Sequence, residues 1–182
     1  MIIPLVNLRR QHEELCDPIR DAIDGVIERG DFILGSEVED FEREFAAFCE
    51  TKHCIGVASG LDALTLAMKG LGIGPGDQVI TAGNTFVATV LAIKQTGAVP
   101  VLVDTDPDDY TILPERIEAA ITPKTKVVLP VHLYGKTANM PAIQAIARTH
   151  SLKILEDACQ TIGASDLGKY GDVAALSFNP FK

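Results

Sequence analysis

The spacing of apolar residues changes character partway along the chain. Over residues 8–28 they recur at helical intervals, which predicts one amphipathic helix closed by Gly30. Ser36-Glu37-Val38-Glu39 has the form of a capping box, in which a serine hydroxyl and a glutamate each satisfy an unpaired amide at a helix start. Val38, Phe41, Phe45 and Phe48 then fall on one stripe of the helix that follows, and packing alone accounts for that stripe.

From Cys54 onward short apolar runs alternate with helical stretches. Strands are expected at residues 54–58, 78–82, 99–103, 126–131, 152–155 and 173–177. Residues 61–71, 86–95 and 141–149 read as helices, and residues 72–77 as a turn. Pro114 opens a further helix, because proline's missing amide costs nothing at the first helical position. Several of the strands are apolar on both faces and separated by helices. That pattern calls for an α/β fold, a mainly parallel sheet covered by helices on both sides. Repeats, low-complexity tracts and linkers are not evident, so the 182 residues read as one domain or the larger part of one.

Composition narrows the partners. The net charge is −9, from 16 basic and 25 acidic residues, and no cluster of Lys and Arg offers a footing for a phosphate backbone. Nucleic acid is therefore not an expected partner. Nor is a membrane, since the apolar runs have strand length only. The start, Met1-Ile2-Ile3-Pro4-Leu5, lacks the positive flank of a secretory signal and is broken by Pro4. Cys16, Cys49, Cys54 and Cys159 have neither metal-ligand nor disulfide-framework spacing; incidental thiols in a reducing cytoplasm suit them.

In an open α/β sheet, ligands bind beyond the carboxyl ends of the strands, so the residues just after each strand are the ones to inspect. Ser59-Gly60-Leu61-Asp62 enters a helix, and the free amides there suit a phosphate, although Gly and Ser serve turn geometry equally well. Phe86, after Gly83-Asn84-Thr85, could stack on a flat ring or simply join the core. In Glu156-Asp157-Ala158-Cys159-Gln160, two acids at the end of a buried strand require partners. A cationic ring nitrogen would serve Asp157, which could otherwise cap the next turn. Lys182, after Ser177-Phe178-Asn179-Pro180-Phe181, is either a solvated surface amine or a desolvated one able to add to a carbonyl. His132 follows a strand and reads as a hydrogen-bonded structural histidine, and strand alternation turns Glu156 away from whatever Asp157 faces.

A phosphate cradle, a stacking ring, an anion for a ring nitrogen and an imine-forming amine make up the inventory for pyridoxal 5'-phosphate. In this order the segments resemble the DegT/DnrJ/EryC1/StrS family of sugar aminotransferases. They are Gly30-Asp31-Phe32-Ile33-Leu34-Gly35, Ser59-Gly60-Leu61-Asp62-Ala63-Leu64, Asn84-Thr85-Phe86-Val87-Ala88-Thr89, Glu156-Asp157-Ala158-Cys159-Gln160 and Ser177-Phe178-Asn179-Pro180-Phe181-Lys182. The resemblance implies the large cofactor-binding domain of the aspartate-aminotransferase (type I) fold. It gives Lys182 the covalent hold on the cofactor and the later proton transfers, and Asp157 the pyridinium nitrogen. Gln160 would lie near the ring's phenolic oxygen and Phe86 against one face. Ser177, with Gly60 and the amides of Leu61 and Asp62, would hold the phosphate. Leu61 departs from the threonine common there, which removes about one hydrogen bond's worth of phosphate contact.

The resemblance further implies a homodimer with shared active sites, an amino-acid donor (L-glutamate), and a nucleotide-linked keto-sugar acceptor, with a 3-keto sugar suggested by Gly60-Leu61-Asp62-Ala63-Leu64. Dehydrating relatives carry His where this chain has Lys182, which favours transamination by a ping-pong course. Family members continue beyond the lysine with a small C-terminal domain and a further central strand, so these residues alone should show a gap in the sheet. A cofactor-binding regulator, or another type I enzyme acting on small amino acids, is the alternative. A dinucleotide fold would need glycines that Ser59-Gly60-Leu61-Asp62-Ala63-Leu64 lacks.

Overall fold

The computed structural model of the chain describes Pro4 and residues 6–180, apart from the Gln11 side chain. Two compact units result. One holds the described residues up to Phe48 together with Lys52–Gly56, the other Cys49–Thr51 and Val57–Pro180.

The first unit contains α1 (Leu8–His12), α2 (Cys16–Arg29) and α3 (Ser36–Phe48). The single helix expected over residues 8–28 is thus two helices, separated by a turn at residues 13–15. Pro18 explains the break: its ring collides with the carbonyl four residues back, and it has no amide to continue the ladder. Gly30 closes α2 as expected, in the left-handed region at φ 73°, with its amide donating to the Val26 carbonyl. The capping box does not form. The helix begins at Ser36 itself, so the Glu39 amide goes to the Gly35 carbonyl at 3.4 Å and the Ser36 hydroxyl donates to Glu37 at 3.3 Å. Along the aromatic stripe Phe41 stacks on Phe45 with ring centroids 5.5 Å apart, and Phe45 tilts against Phe48.

Residues 54–58, read as a strand, pair with no strand among the described residues. The Gly56 amide donates to the Glu42 carboxylate at 2.6 Å instead of entering a ladder, and Ile55 is 77% exposed. A short apolar run becomes a strand only when a neighbour takes its amides and carbonyls, and no strand among the described residues does so.

The second unit runs α4 (Gly60–Gly70), β1 (Gln78–Ala82), α5 (Val87–Gln95), β2 (Val99–Val103), α6 (Pro114–Ala120), β3 (Thr125–Leu129), α7 (Met140–Thr149), β4 (Lys153–Asp157) and β5 (Val173–Ala175). The five strands form one sheet in the order β2-β1-β3-β4-β5, every pair parallel. They follow one another without interruption, so the expected gap does not lie among them. Pro114 occupies the start of α6 as its chemistry requires.

Strand alternation sends successive side chains to opposite layers. Val79, Val127, Leu129 and Leu155 pack with Leu64 and Met68 of α4 and with Ala92 and Ile93 of α5. Ile80, Val128 and Ile154 pack with Ile117 of α6 and with Met140 and Ile143 of α7. The five strands and their helices thus make the expected α/β layering, with helices on both faces of the sheet. Among the described residues no helix is long and apolar enough to cross a membrane.

Ile143 is completely buried between α7 and the sheet. Ile143→Ala should lower the free energy of unfolding by about 2–5 kcal/mol, read from urea denaturation, because the cavity cannot fully collapse between two rigid layers.

Candidate active site at the carboxyl edge of the sheet

The site grows from the end of β4. Asp157 is pinned through its backbone: its amide donates to the Pro130 carbonyl and its carbonyl accepts from the His132 amide, both at 2.9 Å. A parallel bridge between Val131 and Asp157 thus extends the β3–β4 pairing past the end of β3. The Asp157 side chain, 5% exposed, turns toward α5. Oδ2 accepts from the Thr89 hydroxyl at 2.7 Å and Oδ1 from the Cys159 amide at 3.3 Å. Both donors are neutral, and among the described residues no Lys, Arg or His pairs with this carboxylate.

Glu156, one residue earlier, points to the other face and is completely buried. It accepts from the amides of Gly171 at 2.7 Å and Gly168 at 3.3 Å, and it meets His132 Nε2 at 3.0 Å. The Ala138 amide donates to His132 Nδ1 at 3.2 Å, which places the ring proton on Nε2, facing Glu156. The pair therefore fastens the loops after β3 and β4 together, the structural role read for His132 from the sequence. The two adjacent acids differ sharply: among the described residues Glu156 has a histidine and two amides, whereas Asp157 has no cationic partner.

Three sequence-distant segments meet beside Asp157. Ala158 donates its amide to the Ala175 carbonyl at 2.9 Å, joining the ends of β4 and β5. A Cβ placed on Gly60 would lie 2.9 Å from Ser177 Cβ and 3.1 Å from Cys159 Sγ. Glycine at position 60 is thus what lets the first turn of α4 approach the other two segments. Ser59 caps α4: its hydroxyl oxygen accepts from the Asp62 amide at 3.1 Å and its proton goes to Asp62 Oδ2 at 2.7 Å. The Asp62 amide, expected to face an anion, is therefore already engaged. The amides of Gly60 and Leu61 have no acceptor among the described residues, and Ser177 stands next to them.

The other expected groups line the same edge. Gln160 Oε1 accepts from the Tyr134 amide at 3.1 Å, which leaves its NH2 group as a donor. Phe86 caps the start of α5 and is 59% exposed. Lys182 lies outside the described residues. Sequence reasoning assigned no role to Thr85 and Thr89, whose hydroxyls are 2.7 Å apart, nor to Tyr110 and Tyr134, whose rings meet edge to face with centroids 6.0 Å apart. The two tyrosines have φ of 63° and 57°, uncommon for residues with a side chain, and such strain clusters at functional edges. The available signal was the pair of threonines four residues apart at the start of a helix; the tyrosines gave none.

Lys136 donates to Asp109 at 2.9 Å, bridging the loops after β2 and β3. The Lys136 bond and then the amide and hydroxyl of Thr111 hold the Asp109 carboxyl down to about 2. A depressed carboxyl contributes stability above its unfolded value of 3.8 and loses it as pH falls through about 2. Asp109→Asn should therefore lower stability near neutral pH by about 1 kcal/mol or less, and urea denaturation should show the difference shrinking below about pH 4.

These features can be set beside known proteins. A dTDP-3-amino-3,4,6-trideoxy-alpha-D-glucose transaminase of Streptomyces venezuelae is 48% identical over 184 residues, covering 99% of this chain and 48% of that protein. A pleiotropic regulatory protein of Geobacillus stearothermophilus is 46% identical over 186 residues, covering 100% of this chain and 50% of that protein. The crystal structure of NtdA from Bacillus subtilis, with bound cofactor PMP, superposes with a TM-score of 0.96 at 42% identity, covering 99% of this chain and 42% of that one. The chain spans about half the length of the curated relatives it matches. The family model of the DegT/DnrJ/EryC1/StrS aminotransferases matches residues 14–182, and this chain belongs to that family.

Proposed function

We propose that this chain is the cofactor-binding part of a pyridoxal-phosphate-dependent aminotransferase that moves an amino group from an amino acid to a nucleotide-linked keto-sugar. The observation that carries this reading is Asp157, a buried carboxylate held by two neutral donors and paired with no cation among the described residues. Burying such a charge is expensive unless a positive group completes it, and a protonated ring nitrogen has the required charge and shape. The phosphate end fits as well, since the Gly60 and Leu61 amides open at the helix start beside the Ser177 hydroxyl. In this arrangement Asp62 shares its amide with Ser59.

When bound, the cofactor would carry the amino group between the two substrates and draw electrons into its ring. Asp157 would face the ring nitrogen and keep it protonated. Gln160 would offer its NH2 group to the ring's phenolic oxygen, and Phe86 would cover one ring face. Lys182 would hold the cofactor through its Nζ and would then serve as the general acid/base of the 1,3-proton shift. The donor is L-glutamate, the acceptor is a 3-keto sugar nucleotide, and the two half-reactions follow one another through one site. The relatives support this choice, among them the Streptomyces venezuelae protein, named as a 3-amino sugar transaminase. The whole protein acts in the cytoplasm as a homodimer with shared active sites. A central strand from residues following Lys182 and a small C-terminal domain complete it.

A second reading is a regulator that binds the cofactor without turnover, favoured by the name of the Geobacillus stearothermophilus relative. Absorption spectroscopy separates the two. With pyridoxal phosphate the whole protein should show a band at the visible edge that borohydride fixes covalently on Lys182 and that glutamate abolishes. A band indifferent to amino donors would favour the regulator, and absence of any band would remove the cofactor from the account. Gly60→Ala, which forces a methyl group into contact with Ser177 and Cys159, should weaken cofactor binding by at least about tenfold in a spectral titration.

A further inference from the structure

The hydroxyls of Thr85 and Thr89 are arranged in a manner that helix geometry alone does not require. A threonine inside a helix ordinarily returns its proton to the carbonyl four residues back. Thr149 does so to Ala145 at 3.0 Å. Thr89, completely buried in the first turn of α5, instead donates across to Asp157 Oδ2 at 2.7 Å. A hydroxyl has one proton, and an ionised carboxylate can only accept. With that proton committed to Asp157, the 2.7 Å contact between Thr85 and Thr89 has Thr85 as donor. The result is a directed chain, Thr85 to Thr89 to Asp157, running from the edge of the site into its buried anion.

We infer that Thr89, supported by Thr85, is a positioning residue that fixes the orientation of the Asp157 carboxylate, so that Oδ1 is the oxygen offered to the cationic group of a bound cofactor. The inference rests on the cofactor reading given above. Among the described residues Oδ1 accepts from the Cys159 amide at 3.3 Å, a longer contact that leaves a lone pair available. Without the Thr89 hydroxyl the carboxylate would be free to rotate about its last bond and share its charge differently between the two oxygens. The conservative change keeps the function: Thr89→Ser retains a donor at the same place, whereas Thr89→Val keeps the volume and deletes the donor.

The test uses the whole protein loaded with pyridoxal phosphate carrying nitrogen-15 in its ring. In Thr89→Val the ring-nitrogen resonance should move away from its wild-type position, and kcat for the glutamate half-reaction should fall about tenfold with KM nearly unchanged. Thr89→Ser should return both to the wild-type values. Thr85→Val, which leaves the Thr89 contact in place, should move the resonance in the same direction by less, and it provides the same reading should Thr89→Val not fold. Loss of unfolding stability in Thr89→Val with an unmoved resonance and unchanged kcat would overturn the inference, as would failure of Thr89→Ser to restore them. If the wild-type protein takes up no labelled cofactor, the functional reading itself is wrong; if it binds and reacts while the variants behave alike, only the role of Thr89 is lost.

Discussion

A carboxylate cannot be withdrawn from water without compensation, and the site at the end of β4 is organised around one that the described residues compensate only in part. Asp157 receives a hydroxyl and an amide, enough to orient it and too little to neutralise it. Its backbone is clamped on both sides to the continuation of β3, so the side chain cannot escape by moving the strand end outward. The sheet, the helix behind it and the loops beside it all hold this charge in place.

Glu156 shows what a wholly structural buried acid looks like in the same protein. Two backbone amides and a neutral histidine donate to it, and nothing about its surroundings invites a ligand. The alternation of a strand separates the two acids onto opposite layers. One layer therefore fastens the loops after β3 and β4, while the other faces the segments brought together by Gly60, Cys159 and Ser177. The same strand end serves stability on one side and binding on the other.

Much of this was legible in the sequence because it depends on local chemistry. Alternating short apolar runs specify a parallel sheet, Gly30 can end a helix in a conformation other residues resist, and Pro114 starts one. What the sequence did not disclose depends on partners far along the chain. Residues 54–58 have the composition of a strand, yet the Glu42 side chain takes an amide that a ladder would need. Pro18 interrupts a helical pattern whose apolar spacing runs straight through it. The capping box at Ser36 fails because the helix starts one residue too early. At the site, the pairing of Asp157 with Thr89 spans 68 positions and was invisible until the fold placed α5 beside β4.

The most direct measurement compares the affinity of the whole protein for pyridoxal phosphate and for its analogue with carbon in place of the ring nitrogen, in the wild type and in Asp157→Asn. If the unmatched charge of Asp157 awaits that nitrogen, the wild type should bind the analogue at least about tenfold more weakly, and Asp157→Asn should hold the two with nearly equal affinity. Equal binding of both compounds by the wild type would contradict the account, since the buried carboxylate would then have no part in recognising the ring.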